Sequence, residues 1–254
     1  MPRFTNALAR NKQVTVNMFV YHHILSEHPN LESRHFYPHF WQDEDLVLGA
    51  SGGRNTVYFI SSLFDEDQQW VLRHYYRGGL PGKLIKDQFL FSGYERTRAV
   101  REYRLLQALR AKGLPVPRVI AAHVARAGVT YRSNIIVERV KDSQDVGRIL
   151  LEKNLPDTAW EAIGRMIASF HEEGLSHVDL NCKNILWQSS NEKAWLIDFD
   201  RCAFRTPDAQ WQQAQLDRLL RSFNKESQIA ASENKPFHFN EKSWRALLNG
   251  YKAS

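Results

Sequence analysis

The chain has 254 residues, 43% of them hydrophobic, with 7 Trp, 9 Tyr and 14 Phe. That is enough apolar mass for a packed core, so a disordered chain is excluded and one large domain or two small lobes around a cleft remain. The net charge of +6 points to an anionic partner, whether nucleic acid, nucleotide phosphate or a negatively charged membrane surface, without choosing among them.

Cys182 and Cys202 are the only cysteines. They form no C-x-x-C pair, which excludes a disulfide scaffold and reads as a reduced, cytosolic protein. No apolar run approaches the ~20 residues that span a bilayer. The stretch 1-MPRFTNALARNKQVTVNMFV-20 lacks the order of a signal peptide, so a soluble or peripheral protein is expected.

Residues 1–40 form an N-terminal segment rich in histidine. His22, His23, His28, His35 and His39 have no cysteine or carboxylate at ligand spacing and read as ordinary surface residues. The segment 46-LVLGASGGRNTVYFI-60 reads as strand, glycine turn, strand, and 69-QWVLRHYY-76 as a third strand. A basic loop, 77-RGGLPGKLIKDQF-89, follows. A helix is expected from Glu95 to Lys112, with Val100, Leu105, Leu106 and Leu109 on its apolar side and Gly113, Pro115 and Pro117 ending it. Two more strands are expected at 117–124 and 134–140.

From there the pattern turns helical. The helix 158–174 opens with Thr158 and Glu161 spaced as a capping box, and Gly174 closes it. The next stretch, 177-HVDLNCKNILW-187, runs from a polar loop into a short strand. A turn at 189–193 leads to a second strand ending in 198-DFD-200. Paired as a hairpin centred on Asn191, these strands set Asn184 opposite Asp198. An amide oxygen and a carboxylate then share one end of the hairpin, a hard-oxygen pair of the kind Mg²⁺ takes beside phosphate oxygens. Asp179 faces the same space as a general base.

These residues resemble the protein-kinase-like fold. Its H-x-D-L-x-x-x-N loop is matched by His177, Asp179, Leu180 and Asn184, and its D-F-G position by Asp198 and Phe199, with Asp200 replacing the glycine. The resemblance implies an α+β, two-lobed fold. A β-rich ATP-binding lobe spans 41–137, with antiparallel strands and one helix, and a helical catalytic lobe spans 138–254. It also implies that Asp179 accepts the acceptor's proton while Asn184 and Asp198 hold Mg²⁺ on ATP. Gly49, Gly52 and Gly53 stand where a phosphate-covering loop belongs, since no Cβ hinders their amides. Glu102 fits the kinase helix glutamate, and Glu138 opens the hinge 138–140 expected to hold adenine. The lysine slot holds Arg73, whose fork differs from an ammonium in reach and hydration; Lys83 or Lys86 is the alternative.

Little chain follows Asp198, no A-P-E triplet appears, and Val178 replaces the arginine of phosphorylation-switched kinases. A small hydroxyl compound or a sugar is therefore expected as acceptor, not a protein. The segments 72-LRHYYRGGLPGKLIKDQF-89, 94-YERTRAVREYRLLQAL-109, 113-GLPVP-117, 177-HVDLNCKNIL-186 and 197-IDFDRC-202 resemble the 3-deoxy-D-manno-octulosonic acid (Kdo) kinases of lipopolysaccharide synthesis. Arg73 and Asp200 are then family features. The resemblance implies ATP-dependent phosphorylation of the 4-OH of Kdo on Kdo-lipid A precursor, at the cytoplasmic face of the inner membrane. Arg73, Arg77, Lys83, Lys86, Arg96, Arg98 and Arg101, interleaved with aromatics, suit lipid phosphates, the Kdo carboxylate or anionic headgroups. No nucleic-acid motif supports the other reading of such a stretch. A kinase of core heptose and a non-catalytic pseudokinase are the rival readings.

Overall fold

The structure is a computed structural model that describes residues 20–52, 56–77 and 86–253. Its first half comprises β1 (Val20–Ser26), the short helix α1 (Pro38–Asp43), β2 (Val47–Ser51), β3 (Val57–Ser61), β4 (Gln69–His74), β5 (Phe89–Leu90), α2 (Arg98–Ala111), β6 (Val119–Ala127) and β7 (Thr130–Glu138). Among the described residues the strands form one seven-stranded sheet in the order β1-β6-β7-β4-β3-β2, with β5 paired to the start of β7. Every pairing in it is antiparallel.

Alternation along β4 decides what each sheet face carries. Trp70 and Leu72 enter a cluster with Phe36, Trp41, Ile60, Ile120 and Ile136. Tyr75, of the opposite parity, joins the cluster that holds Tyr103, Leu106 and Leu109 of α2. Arg73 shares that parity and so turns toward the helix. The helix begins after Thr97, later than the sequence suggested, because Tyr94–Arg96 form a separate 3-10 turn. Gly113 ends it with φ +77, a conformation that favours glycine. The histidines are not all surface residues. His35 is buried, with its Nδ1 accepting the Glu32 amide at 2.8 Å, and His28 stacks on Phe64.

The second half holds β8 (Ser143–Asp145), α3 (Val146–Glu152), α4 (Asp157–Glu172), β9 (Leu175–Ser176), β10 (Ile185–Gln188), β11 (Lys193–Leu196), β12 (Ala203–Phe204), α5 (Ala209–Ser232) and α6 (Glu241–Lys252). Helix α4 buries Trp160, Ile163, Ile167 and Phe170. The expected capping box does not form. Pro156 is the N-cap, without a side-chain cap, and Thr158 already lies inside the helix. Gly174, with φ +76, ends it as expected. Helices α4 and α6 meet at Gly164 and Gly250, where backbone approaches backbone. Among the described residues no helix is long and apolar enough to cross a membrane.

Candidate active site

Strands β10 and β11 pair from Ile185↔Leu196 to Gln188↔Lys193. The register is one residue off the expected centre, so Asn184 faces Ile197, whose N–H donates to the Asn184 carbonyl at 3.0 Å. The shorter turn, with Glu192 at φ +48, accounts for the difference. Asp198 follows one residue later, so amide and carboxylate still flank the open end of the hairpin. The Asn184 side-chain nitrogen donates to the Asp179 carbonyl at 2.9 Å, which turns its oxygen away from the loop. The Asp179 carboxylate is 56% exposed.

The loop is fastened from below. His177 Nε2 donates to the Ile197 carbonyl at 3.0 Å, and its ring meets Phe199 edge-on at 5.3 Å. Burial pushes the His177 pKa down, against the pull of that carbonyl, so the ring is neutral at physiological pH. Phe199 is buried and also packs on Phe170 of α4. Helix α5 adds three tethers that sequence reasoning missed. Gln215 accepts the His177 amide at 3.3 Å, Ser222 Oγ accepts the Cys182 amide at 3.0 Å, and Glu226 pairs with Lys183 at 2.8 Å. Arg218, one turn after Gln215, reaches Asp179 at 3.5 Å. The signal available was a run of polar residues at helical spacing in 209–232, visible only once its partner loop is known.

Arg73, expected in the lysine slot, lies between two acids. One arm contacts Asp198 and the other binds Glu102 at 2.5 Å, while Tyr75 Oη donates to Glu102 at 2.6 Å. Burial opposes the guanidinium charge, but Glu102, Tyr75 and Asp198 outweigh it and hold its pKa well above the ordinary arginine value. Of the alternatives, Lys86 is exposed and Lys83 lies outside the described residues. A second pair stands beside the first: Arg98 Nε donates to Asp200 Oδ1 at 2.8 Å, and its Nη2 contacts the other oxygen.

Gly49 lies in β2, next to a register irregularity between Val47 and Gly49. Gly52 follows with φ +98, and Gly53 falls outside the described residues. The amide of Glu138 donates to the Arg118 carbonyl at 2.8 Å and that of Arg139 to Gln69 at 2.8 Å. Neither amide is free for a base, which moves any amide donor for adenine beyond Arg139. Among the described residues no group of three or more His, Cys, Asp or Glu could hold a metal ion by itself. An amide oxygen and one carboxylate are the hard-oxygen donors that suit Mg²⁺ when phosphate and water supply the rest.

A sheet lobe with α2 packed on it, a helical lobe, and a loop and hairpin carrying an acid, an amide and a second acid define the protein-kinase-like fold. The chain belongs to the lipopolysaccharide kinase (Kdo/WaaP) family, whose model matches residues 38–251, and it is an enzyme that transfers phosphate. It is 42% identical over 228 residues to a 3-deoxy-D-manno-octulosonic acid kinase of Mannheimia succiniciproducens, covering 88% of this chain and 92% of that one. The kinase of the same name from Photobacterium profundum is 41% identical over 84% of this chain and 86% of its own. That of Vibrio parahaemolyticus is 44% identical over 75% and 78%. Among solved structures, the Cydia pomonella granulovirus kinase PK-1 aligns at TM-score 0.43 and 12% identity, over 66% of this chain and 56% of that one.

Proposed function

We propose that this chain transfers the γ-phosphate of ATP to the 4-OH of Kdo on Kdo-lipid A precursor, at the cytoplasmic face of the inner membrane. The observation that carries the reading is Arg73 joining Glu102 and Asp198 beside a loop that presents Asp179 and Asn184. The relatives' shared name supplies the acceptor class. In this reading residues 41–137 are the ATP-binding lobe and 138–254 the catalytic lobe, while the N-terminal segment 1–40 contributes β1 to the sheet.

Asp179 accepts the proton of the sugar hydroxyl as its oxygen bonds to the γ-phosphorus and the bond to ADP breaks. Its carboxylate is exposed enough to meet an acceptor, and its carbonyl is held by both Asn181 and Asn184 at 2.9 Å, so the base is aimed before the acceptor arrives. Asn184 and Asp198 would hold Mg²⁺, which supplies neutralisation of the phosphate charge. Arg73 and the amides of Gly49, Gly52 and Gly53 position the phosphates, and the hinge after Glu138 takes the base.

One end of the sheet suits an anionic membrane surface. Val20 and Tyr21 on β1 pair with Ala127 and Arg126, beside Leu90 and Val129, which are each 74% exposed. The Phe91 amide binds the Val129 carbonyl at 2.9 Å, and Arg126 lies over the Phe91 ring at 4.4 Å. Exposed apolar side chains with an arginine beside them are the chemistry that enters a headgroup layer.

The test is transfer of labelled γ-phosphate from ATP with Mg²⁺ to purified Kdo-lipid A precursor, comparing the protein with Asp179→Ala. Label in the lipid, lost by on the order of 10²–10⁴-fold in the variant, supports acceptor and base together. Label entering a heptose acceptor in place of Kdo would discard the substrate and keep the kinase. A variant as active as the parent would remove Asp179 from the role of base.

A further inference from the structure

Arg98 is the first residue of α2, and four residues on the same helix carries Glu102. Asp200 is two residues past Asp198. The three ion pairs, Arg73 with Glu102, Arg73 with Asp198, and Arg98 with Asp200, therefore close a ring. One side of the ring is a turn of helix, the other is the backbone 198–200, and the two guanidinium groups are the bridges.

The Arg98 bridge is built in detail. Its fork meets the Asp200 carboxylate with two arms, Nε at 2.8 Å and Nη2 in contact, while Nη1 donates to the Tyr76 carbonyl at 2.8 Å. The guanidinium lies over Phe89 at 4.9 Å and over Tyr75 at 5.2 Å. The Arg98 backbone N–H donates to Tyr131 Oη at 3.2 Å. With four-fifths of this side chain and more of Asp200 shielded from water, the pair is more than a solvated surface contact, and its geometry is the bidentate one that only arginine makes.

The backbone it holds is unusual. Asp198 sits at φ +64 and Arg201 at φ +62, both non-glycine residues in the left-handed region. Such a conformation costs energy and persists only where its surroundings over-determine it. Buried Phe199 fixes the segment from one side; the Arg98–Asp200 pair fixes it from the other. Both Asp200 oxygens are taken by Arg98, so Asp200 does not face the phosphates as a further ligand, and Arg98 is not a free cation for an acceptor.

We propose that Arg98 and Asp200 are a positioning pair that locks the strained Asp198 segment to α2, so that Asp198, Arg73 and Glu102 stay assembled without a phosphorylation switch. The proposal rests on the reading of Asp198 as a ligand of the ATP-bound metal, but the lock itself is a property of the unliganded chain.

The experiment takes the full chain with Arg98→Met, Asp200→Asn and the double substitution, each checked for an unchanged circular dichroism spectrum. Arg98→Lys, which keeps the charge and loses the fork, is the milder variant should the others fail to fold. Phosphate-transfer kinetics and amide hydrogen exchange of residues 197–202 without nucleotide are both measured. Each single substitution is expected to lower kcat by about 10–100-fold, leave KM for ATP within about twofold, and speed exchange across 197–202. The double variant is expected to be no worse than the worse single one. Losses that multiply, exchange unchanged in Arg98→Met, or a loss confined to Asp200→Asn with altered Mg²⁺ dependence would overturn the lock and, in the last case, make Asp200 a ligand. Absence of transfer by the parent chain would refute the proposed reaction, and the exchange measurement would still decide the lock.

Discussion

Gly164 on α4 and Gly250 on α6 are each pressed against the other helix's backbone. A Cβ on Gly164 would collide with the Leu247 carbonyl, and one on Gly250 with the Glu161 carbonyl. Both obstacles are main chain, so no side chain can rotate out of the way. Gly164→Ala is expected to cost about 1–3 kcal/mol despite its better helix propensity. At this chain length that lowers Tm by roughly 2–12 °C. Thermal unfolding followed by circular dichroism checks it, and a Tm equal to the parent's would mean the helices separate at no cost.

Arg73→Lys is not a conservative change here. The guanidinium touches Asp198 with one arm and Glu102 with the other, and a single ammonium cannot reproduce both directions. Displacement of the phosphates on the order of 1 Å is expected to lower kcat/KM by about 10²-fold. Steady-state kinetics on the folded variant test this, and full activity would show that the fork is dispensable.

Acid should weaken the fold through two buried histidines. Burial lowers the pKa of His123 to about 3 and that of His171 to about 4. A base with a folded pKa below its unfolded 6.5 is protonated first in the unfolded chain. Its stabilising effect is complete above that value and is lost as pH falls. Between pH 7 and pH 5 each histidine costs about 2 kcal/mol. Urea midpoints at the two pH values should show the drop, and His171→Gln should reduce it. A midpoint independent of pH would contradict the burial argument.

Leu90→Asp with Val129→Asp puts two charges into the exposed apolar tip, where neither side chain contributes to the core. Binding to vesicles of anionic lipid should fall by about tenfold or more, while turnover of a water-soluble acceptor should be retained. Co-sedimentation and a soluble assay, run in parallel, separate the two effects. Unchanged vesicle binding would move the docking surface elsewhere.

How legible this site was depended on sequence distance. Asp179, Asn184 and Asp198 lie within one loop and hairpin, so residue type and spacing were enough to bring them together, with a register error of one residue. Arg73 was read as the occupant of a lysine position and a partner of Glu102, and the structure sets its guanidinium between Glu102 and Asp198. Arg98 was grouped with the cations that suit lipid phosphates or the Kdo carboxylate because Asp200 lies 102 residues away, and no local pattern announces a pair at that separation. Helix α5 was overlooked for a related reason. Its contribution is made by Gln215, Ser222 and Glu226, polar residues whose bonds to the loop appear only once that loop is placed. The capping box failed because Pro156 starts α4 upstream of Thr158, with its own restricted φ deciding where the helix could begin.

The contact between α4 and α6 also sets an order of events during synthesis. Helix α4 supplies Phe170, the support beneath Phe199, yet α4 itself is completed only by a segment made some seventy residues later. Until Glu241–Lys252 has emerged from the ribosome, α4 lacks the helix that packs on Gly164 and the Tyr251 hydroxyl that bonds His171, and the hairpin rests on an unfinished floor. The sheet half, synthesised first, can assemble while translation continues, since domains tend to fold as they emerge. The helical half cannot. A nascent chain can thus build its sheet half well before the loop and hairpin of the second half gain their full support.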